Sequence, residues 1–156
     1  MNNKLKTFSK FLVTLSYIGL FPVAPGTIAS LATVLLWIIF VKLNIELYFI
    51  ILVILALIIS FHLIDLYLID KNNKDPKEIV IDEFVGQSIP LILIPNANDI
   101  MSLFLIFILF RFFDILKIYP INLFDNMNGS KGVMFDDIMA GVYTTIIVIM
   151  INMFIL

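Results

Sequence analysis

The stretch Leu47-Tyr48-Phe49-Ile50-Ile51-Leu52-Val53-Ile54-Leu55-Ala56-Leu57-Ile58-Ile59-Ser60-Phe61-His62-Leu63-Ile64-Asp65-Leu66-Tyr67-Leu68-Ile69 is almost unbroken hydrocarbon. It exceeds the roughly 20 residues that a helix needs to cross a bilayer core. No two-residue alternation persists in it, so it reads as a helix apolar on most faces and not as a strand with one wet side. Working outward, further apolar segments occupy residues 27–41, 79–94, 100–115 and 138–156. Several fall short of a full crossing and reach that length only with their polar ends. The connectors at 42–46 and 95–99 are short, which makes neighbouring helices antiparallel hairpins. The expectation is an all-α, polytopic membrane helical bundle with about four to five transmembrane or membrane-embedded helices.

Composition agrees. The 156 residues are 62% hydrophobic and 14% charged, with a mean hydropathy of +1.09, against about 45–50% apolar and about 25% charged in a soluble domain. Length predicts a single domain over 1–156. A net charge of −2 without a basic stripe argues against nucleic acid as a partner. Cysteine is absent, which removes thiolate nucleophiles and sulfur-based zinc sites.

Residues 1–26 form an N-terminal cytoplasmic or interfacial segment in this reading. Lys4, Lys6 and Lys10 precede an apolar run at 11–21 in the manner of a signal peptide, but Thr14, Ser16 and Gly19 interrupt the run and a Pro-x-x-Pro-Gly turn follows it. No A-x-A cleavage site is present, so the run is predicted as a short interfacial or buried helix. Lysines also lie at 71, 74 and 77, and Arg111, Lys117 and Lys131 flank the fourth connector. By the positive-inside rule these three regions are cytoplasmic. The N-terminus is then inside and the C-terminus outside, and the ends of three helices that carry Asp82, Glu83, Asp114, Asp136 and Asp137 gather on the cytoplasmic face.

Ionised carboxylates at the edge of an apolar slab are costly unless water, cations or basic groups meet them. Acids in a first helical turn can serve only the helix dipole. Here, however, Asp82-Glu83 and Asp136-Asp137 are each followed about one turn later by a glycine, Gly86 and Gly141, which leaves a notch for a helix or ligand. The acids are therefore candidates to hold divalent metal for phosphate chemistry. Arg111, Asp114 and Lys117, spaced by three, share a face, with the two cations as candidate phosphate clamps. Pro25 and Gly26 form a turn with Thr27 as N-cap, and Gly26, Thr27 and Ser30 offer an anion site at a helix N-terminus. His62 reads as a packing residue, Asp65 stays open, and Gln87 and Asn152 read as interhelical hydrogen-bond partners.

Four blocks carry a resemblance. They are residues 19–30 around Pro22-Val23-Ala24-Pro25-Gly26-Thr27; Asp75-Pro76-Lys77-Glu78-Ile79-Val80-Ile81-Asp82-Glu83-Phe84-Val85-Gly86-Gln87; Phe110-Arg111-Phe112-Phe113-Asp114-Ile115-Leu116-Lys117 with Pro120-Ile121; and Gly132-Val133-Met134-Phe135-Asp136-Asp137-Ile138-Met139-Ala140-Gly141. In order and spacing these resemble the phosphatidylglycerophosphatase A family. The resemblance implies a multi-pass enzyme of the bacterial inner membrane, with its active site facing the cytoplasm. It also implies a Mg²⁺-dependent phosphatase that converts phosphatidylglycerophosphate to phosphatidylglycerol in phospholipid biosynthesis. The family usually has Gly where this chain has Ala29, Pro where it has Ile118 and Gly where it has Ser130. With no Cys, only one His and no Asp-x-Asp, metal-assisted attack by water remains, and the five carboxylates suit one or two Mg²⁺. One spare carboxylate would act as base. The competing expectation is an ion or small-anion transporter, whose acids would lie nearer the bilayer midplane.

Overall fold

The computed structural model describes residues 3–69, 76–95 and 97–155. Lys71 and Lys74, used above for orientation, and Asp75 of the second block lie outside them, as does the side chain of Lys4. Among the described residues the chain is all helical, with α1 (Asn3–Val13), a single 3₁₀ turn (Ile18–Leu20), α2 (Pro25–Lys42), α3 (Glu46–Leu68), α4 (Ile81–Leu93), α5 (Ile100–Leu116), α6 (Ile121–Asp125) and α7 (Ser130–Ile155). The expected polytopic bundle is present. Three helices, α2, α3 and α7, are long and apolar enough to cross a membrane; α4 and α5, at 13 and 17 residues, are shorter.

The axis of the bundle is α4, and α2, α3, α5 and α7 all pack against it. Its residues from Ile81 to Leu91 are mostly buried, including Asp82, Gly86 and Gln87. Around it, α2 shows Leu31, Leu35 and Ile39 outward, α3 shows Ile51, Ile54 and Ile58, and α7 shows Ile146, Met150 and Met153. An apolar outer belt around a partly polar interior is the arrangement that lipid demands, because lipid tails solvate the outside as well as the core does. Two turns are fixed by side chains. Asp99 caps α5 by accepting from the N–H groups of Met101 and Ser102, both at 3.0 Å. Asp65 on α3 accepts from Ser130 N at 2.9 Å and so anchors the start of α7, which assigns the residue left open above.

Glycine decides how α4 and α7 meet. A Cβ on Gly86 would lie 2.6 Å from the carbonyl oxygen of Asp137, and a Cβ on Gly141 would overlap the carbonyl oxygen of Gly86. Pro90 stands four residues after Gly86 and has no N–H to give that carbonyl, so the oxygen is turned over to the glycine surface of α7. The notch expected from the two glycines is real, and another helix fills it.

Several local expectations change. The N-terminal helix is Asn3–Val13, earlier than the apolar run at 11–21, because Leu15, Ser16 and Tyr17 adopt positive φ and break the chain there. Thr27 is not the N-cap of α2: Ala24 is left-handed and Pro25 takes the first helical position, where its fixed φ fits and its missing N–H costs nothing. The last helix starts at Ser130 and not at 138, so Asp136 and Asp137 sit about two turns inside α7 and not in its first turn. Gln87 is buried with both amide atoms unpartnered, and so makes no interhelical hydrogen bond.

Candidate active site

At one end of the bundle the starts of α2 and α4, the end of α5 and the early turns of α7 surround a cavity of about 300 Å³. Its walls hold Asp82, Glu83, Asp114, Asp136 and Asp137 with Arg111 and Lys117, and Gly26 and Thr27 close one side. Nine of the ten candidate residues named from sequence thus line one space. Ser30 does not: it is fully buried behind the wall, donating to the Gly26 carbonyl at 2.9 Å and accepting from Arg111 Nη1 at 3.4 Å.

The five acids are not equivalent. Asp82, Glu83 and Asp137 each present an oxygen within 4.8 Å of the others. That cluster exists because Gly86 and Gly141 let α7 approach α4 at the level of these side chains. Glu83 Oε2 is buried without a hydrogen-bond partner, and its other oxygen is 3.8 Å from Arg111 Nη1. Gathered buried carboxylates repel and are poorly solvated, so the site calls for a cation. Asp114 and Asp136 already face cations. Arg111 Nη1 is 2.5 Å from Asp114 Oδ2, and Lys117 Nζ is 2.8 Å from Asp136 Oδ2.

The expected cation, anion, cation stripe on α5 is split. Lys117 follows the last helical residue in a left-handed conformation, φ 45° and ψ 49°, which takes its side chain off the Arg111–Asp114 face to pair with Asp136 and with Asp125 of α6. Burial works against the charge on Lys117, but hydrogen bonds to Asp125 and Asp136 outweigh it and raise its pKa above the usual lysine range. Gly26 serves by its smallness, since a Cβ there would overlap Glu83 Oε1 and come within 3.2 Å of Arg111 Nη1.

Sequence reasoning missed Lys77, which also lines the cavity. It stands four residues before Ile81, where α4 begins, and its charge in the sequence marks membrane orientation as readily as a site. Asp125 was missed as well, because nothing in the connector distinguishes it before Lys117 turns toward it. His62 is exposed and does not line the cavity.

An all-oxygen, acidic donor set with an orphaned buried carboxylate oxygen fits a hard divalent cation such as Mg²⁺. The neighbouring guanidinium and ammonium fit phosphate.

Comparison with known proteins points the same way. The family model described as Phosphatidylglycerophosphatase A matches residues 11–152. The Escherichia coli K12 protein named Phosphatidylglycerophosphatase A is 39% identical over 125 residues, covering 80% of this chain and 72% of that one. The Haemophilus influenzae protein of the same name is 38% identical over 135 residues, covering 86% and 82%. A Bacteroides thetaiotaomicron protein provisionally named phosphatidylinositol-3-phosphatase is 35% identical over 142 residues, covering 83% and 84%. No solved structure matches this chain. With a match running through nearly its whole length, and with relatives named as lipid phosphatases, the chain belongs to the phosphatidylglycerophosphatase A family of membrane enzymes.

Proposed function

We propose that the chain hydrolyses the terminal phosphate of phosphatidylglycerophosphate, giving phosphatidylglycerol, with Mg²⁺ held by Asp82, Glu83 and Asp137. The observation that carries this reading is a cavity in which a three-carboxylate cluster stands beside Arg111 and Lys117. The cavity lies where helices begin and end and not halfway along the bundle where transporter sites tend to be, which supports a site at the level of a lipid headgroup. The lysine distribution supports a cytoplasmic opening in the bacterial inner membrane.

Bound in the carboxylate cluster, Mg²⁺ would offset phosphate charge and acidify water. Arg111, held by Asp114 and Ser30, binds the phosphoryl oxygens in a fixed orientation. Lys117, held by Asp125 and Asp136, adds a second cation against the charge that develops in the transition state. A cavity carboxylate accepts a proton from the attacking water; the new water–phosphorus bond forms as the phosphorus–oxygen bond to glycerol breaks, and the glycerol oxygen takes up a proton. The acyl chains stay in lipid throughout.

The test is phosphate release by the purified chain in detergent micelles with Mg²⁺, comparing phosphatidylglycerophosphate, phosphatidylinositol 3-phosphate and phosphatidic acid. The reading expects the first to turn over with the highest kcat/KM. A preference for the inositol lipid would move the chain toward the activity for which the Bacteroides relative is named, and no release from any of the three would reject a phosphatase.

A further inference from the structure

A second cavity, of about 350 Å³, adjoins the first, and the two share Pro25 and Lys77. It is formed by the 3₁₀ turn, Phe21 and Pro22 on one side and by Pro76, Lys77 and Glu78 on the other. The segment bearing Lys77 is tightly fixed. Ile79 N donates to the Pro76 carbonyl and Val80 N to the Val13 carbonyl, both at 2.9 Å. The hydroxyl of Tyr67 donates to Glu78 Oε1 at 2.5 Å, and Gly19 packs so closely on the Glu78 carbonyl that a Cβ there would overlap it. This turn presents Lys77 at the boundary of the two spaces.

The charges of the two cavities differ in kind. Arg111 and Lys117 are each engaged by two carboxylates. Lys77 is exposed and, among the described residues, makes no ion pair. Glu78, the carboxylate on the second cavity, is tied to Tyr67. The first space therefore suits a phosphomonoester together with a metal ion, whereas the second presents the ammonium of Lys77 for a singly charged anion beside a carboxylate, Glu78, whose Oε1 is taken by the Tyr67 hydroxyl. Leu20 and Phe21, 43% and 59% exposed, give its rim an apolar side.

Resting on the phosphatase reading, we propose that the second cavity is a subsite for the phosphodiester of the substrate headgroup, with Lys77 as its cation, favouring lipids that carry a diester beside the monoester over a monoester alone. A glycerolipid carrying a monoester at one end of a glycerol and a diester at the other spans two adjoining anion sites. With the monoester among the acids and Arg111, the diester falls beside Lys77, and the acyl chains leave over the Leu20–Phe21 rim toward lipid.

The experiment compares the full chain with its Lys77→Gln and Lys77→Arg variants in micelles with Mg²⁺, using phosphatidylglycerophosphate as substrate and two inhibitors. Inorganic phosphate reports the first cavity, and short-chain phosphatidylglycerol, which carries only the diester, reports the second. Lys77→Gln is expected to raise KM and the inhibition constant of phosphatidylglycerol by about tenfold, the value of one charge-assisted contact. The inhibition constant of inorganic phosphate stays within about twofold, kcat changes far less than KM, and Lys77→Arg restores the wild-type values. Unchanged KM and phosphatidylglycerol inhibition in Lys77→Gln, or an equal rise for inorganic phosphate, overturns the subsite while leaving the phosphatase reading standing. Absence of turnover by the wild-type chain rejects that reading and the subsite with it.

Discussion

Gly86 and Gly141 meet backbone to backbone where α4 crosses α7, with the carbonyl oxygen of Gly86 on the Cα surface of Gly141. This contact sets the spacing of Asp82 and Glu83 from Asp137. Gly141→Val is therefore expected to force the helices apart at a cost of about 1–3 kcal/mol in stability and to raise the Mg²⁺ concentration needed for half-maximal activity. Thermal unfolding in detergent reads the first effect and a Mg²⁺ titration of activity the second. Wild-type values for both would mean that the close crossing does not set the site.

Gly26→Ala makes a contrasting case. The added methyl meets Glu83 Oε1, the far end of a side chain that can move, together with Arg111 Nη1. The fold should be retained, with a melting temperature within about 3 °C of wild type, while kcat/KM falls by about tenfold or more because Glu83 and Arg111 lose their relative placement. Steady-state kinetics with thermal unfolding on the same preparation separates the two effects.

Arg111 bridges Glu83, Asp114 and Ser30. Lysine at that position keeps the charge and loses the planar fork, so Arg111→Lys is expected to lower kcat/KM by about 100-fold, in line with loss of one oriented donor to the transition state. Ser30→Ala, which removes only the rear support, should cost far less. An equal loss in both would indicate that the buried Ser30 matters as much as the guanidinium.

Lys117 and Asp136 are expected to be coupled by about 0.5–3 kcal/mol in a double-mutant cycle of Lys117→Met and Asp136→Asn, measured by unfolding in detergent. The raised lysine pKa also fixes a sign. The contribution of this group to stability is complete below its unfolded value, about 10.4, and is lost only as pH rises through the higher folded value. Between about pH 6 and 9 it should be flat, so an alkaline fall in stability within that window belongs to another group.

Much of this was legible in the chain. Runs such as the one from Leu47 gave the helices, because lipid leaves little else possible for so long an apolar stretch. The short connectors implied helices alternating in direction, and that alternation brings Asp82, Asp114 and Asp137 to one end. What escaped depends on contacts between distant residues. Hydropathy places the start of the last helix at its apolar portion, whereas the true start at Ser130 is fixed by Asp65 on α3. The turn of Lys117 toward α6 and α7 comes from one left-handed residue, which side-chain spacing does not reveal. The division of five acids into three clustered and two paired follows from the same geometry, as does the place of Lys77 on the cavity wall.

Asp82, Glu83 and Asp137 are proposed to hold the metal for hydrolysis. Phosphate release from phosphatidylglycerophosphate is to be measured for wild type, Asp82→Asn, Asp137→Asn and His62→Ala, each with Mg²⁺ and with EDTA and each checked for folding in detergent. Wild type and His62→Ala are expected to release phosphate in a way that EDTA abolishes and excess Mg²⁺ restores, with a loss of at least about 100-fold in both aspartate variants despite retained helicity. Full activity in EDTA, or near-wild-type turnover by a folded Asp137→Asn, would contradict that assignment.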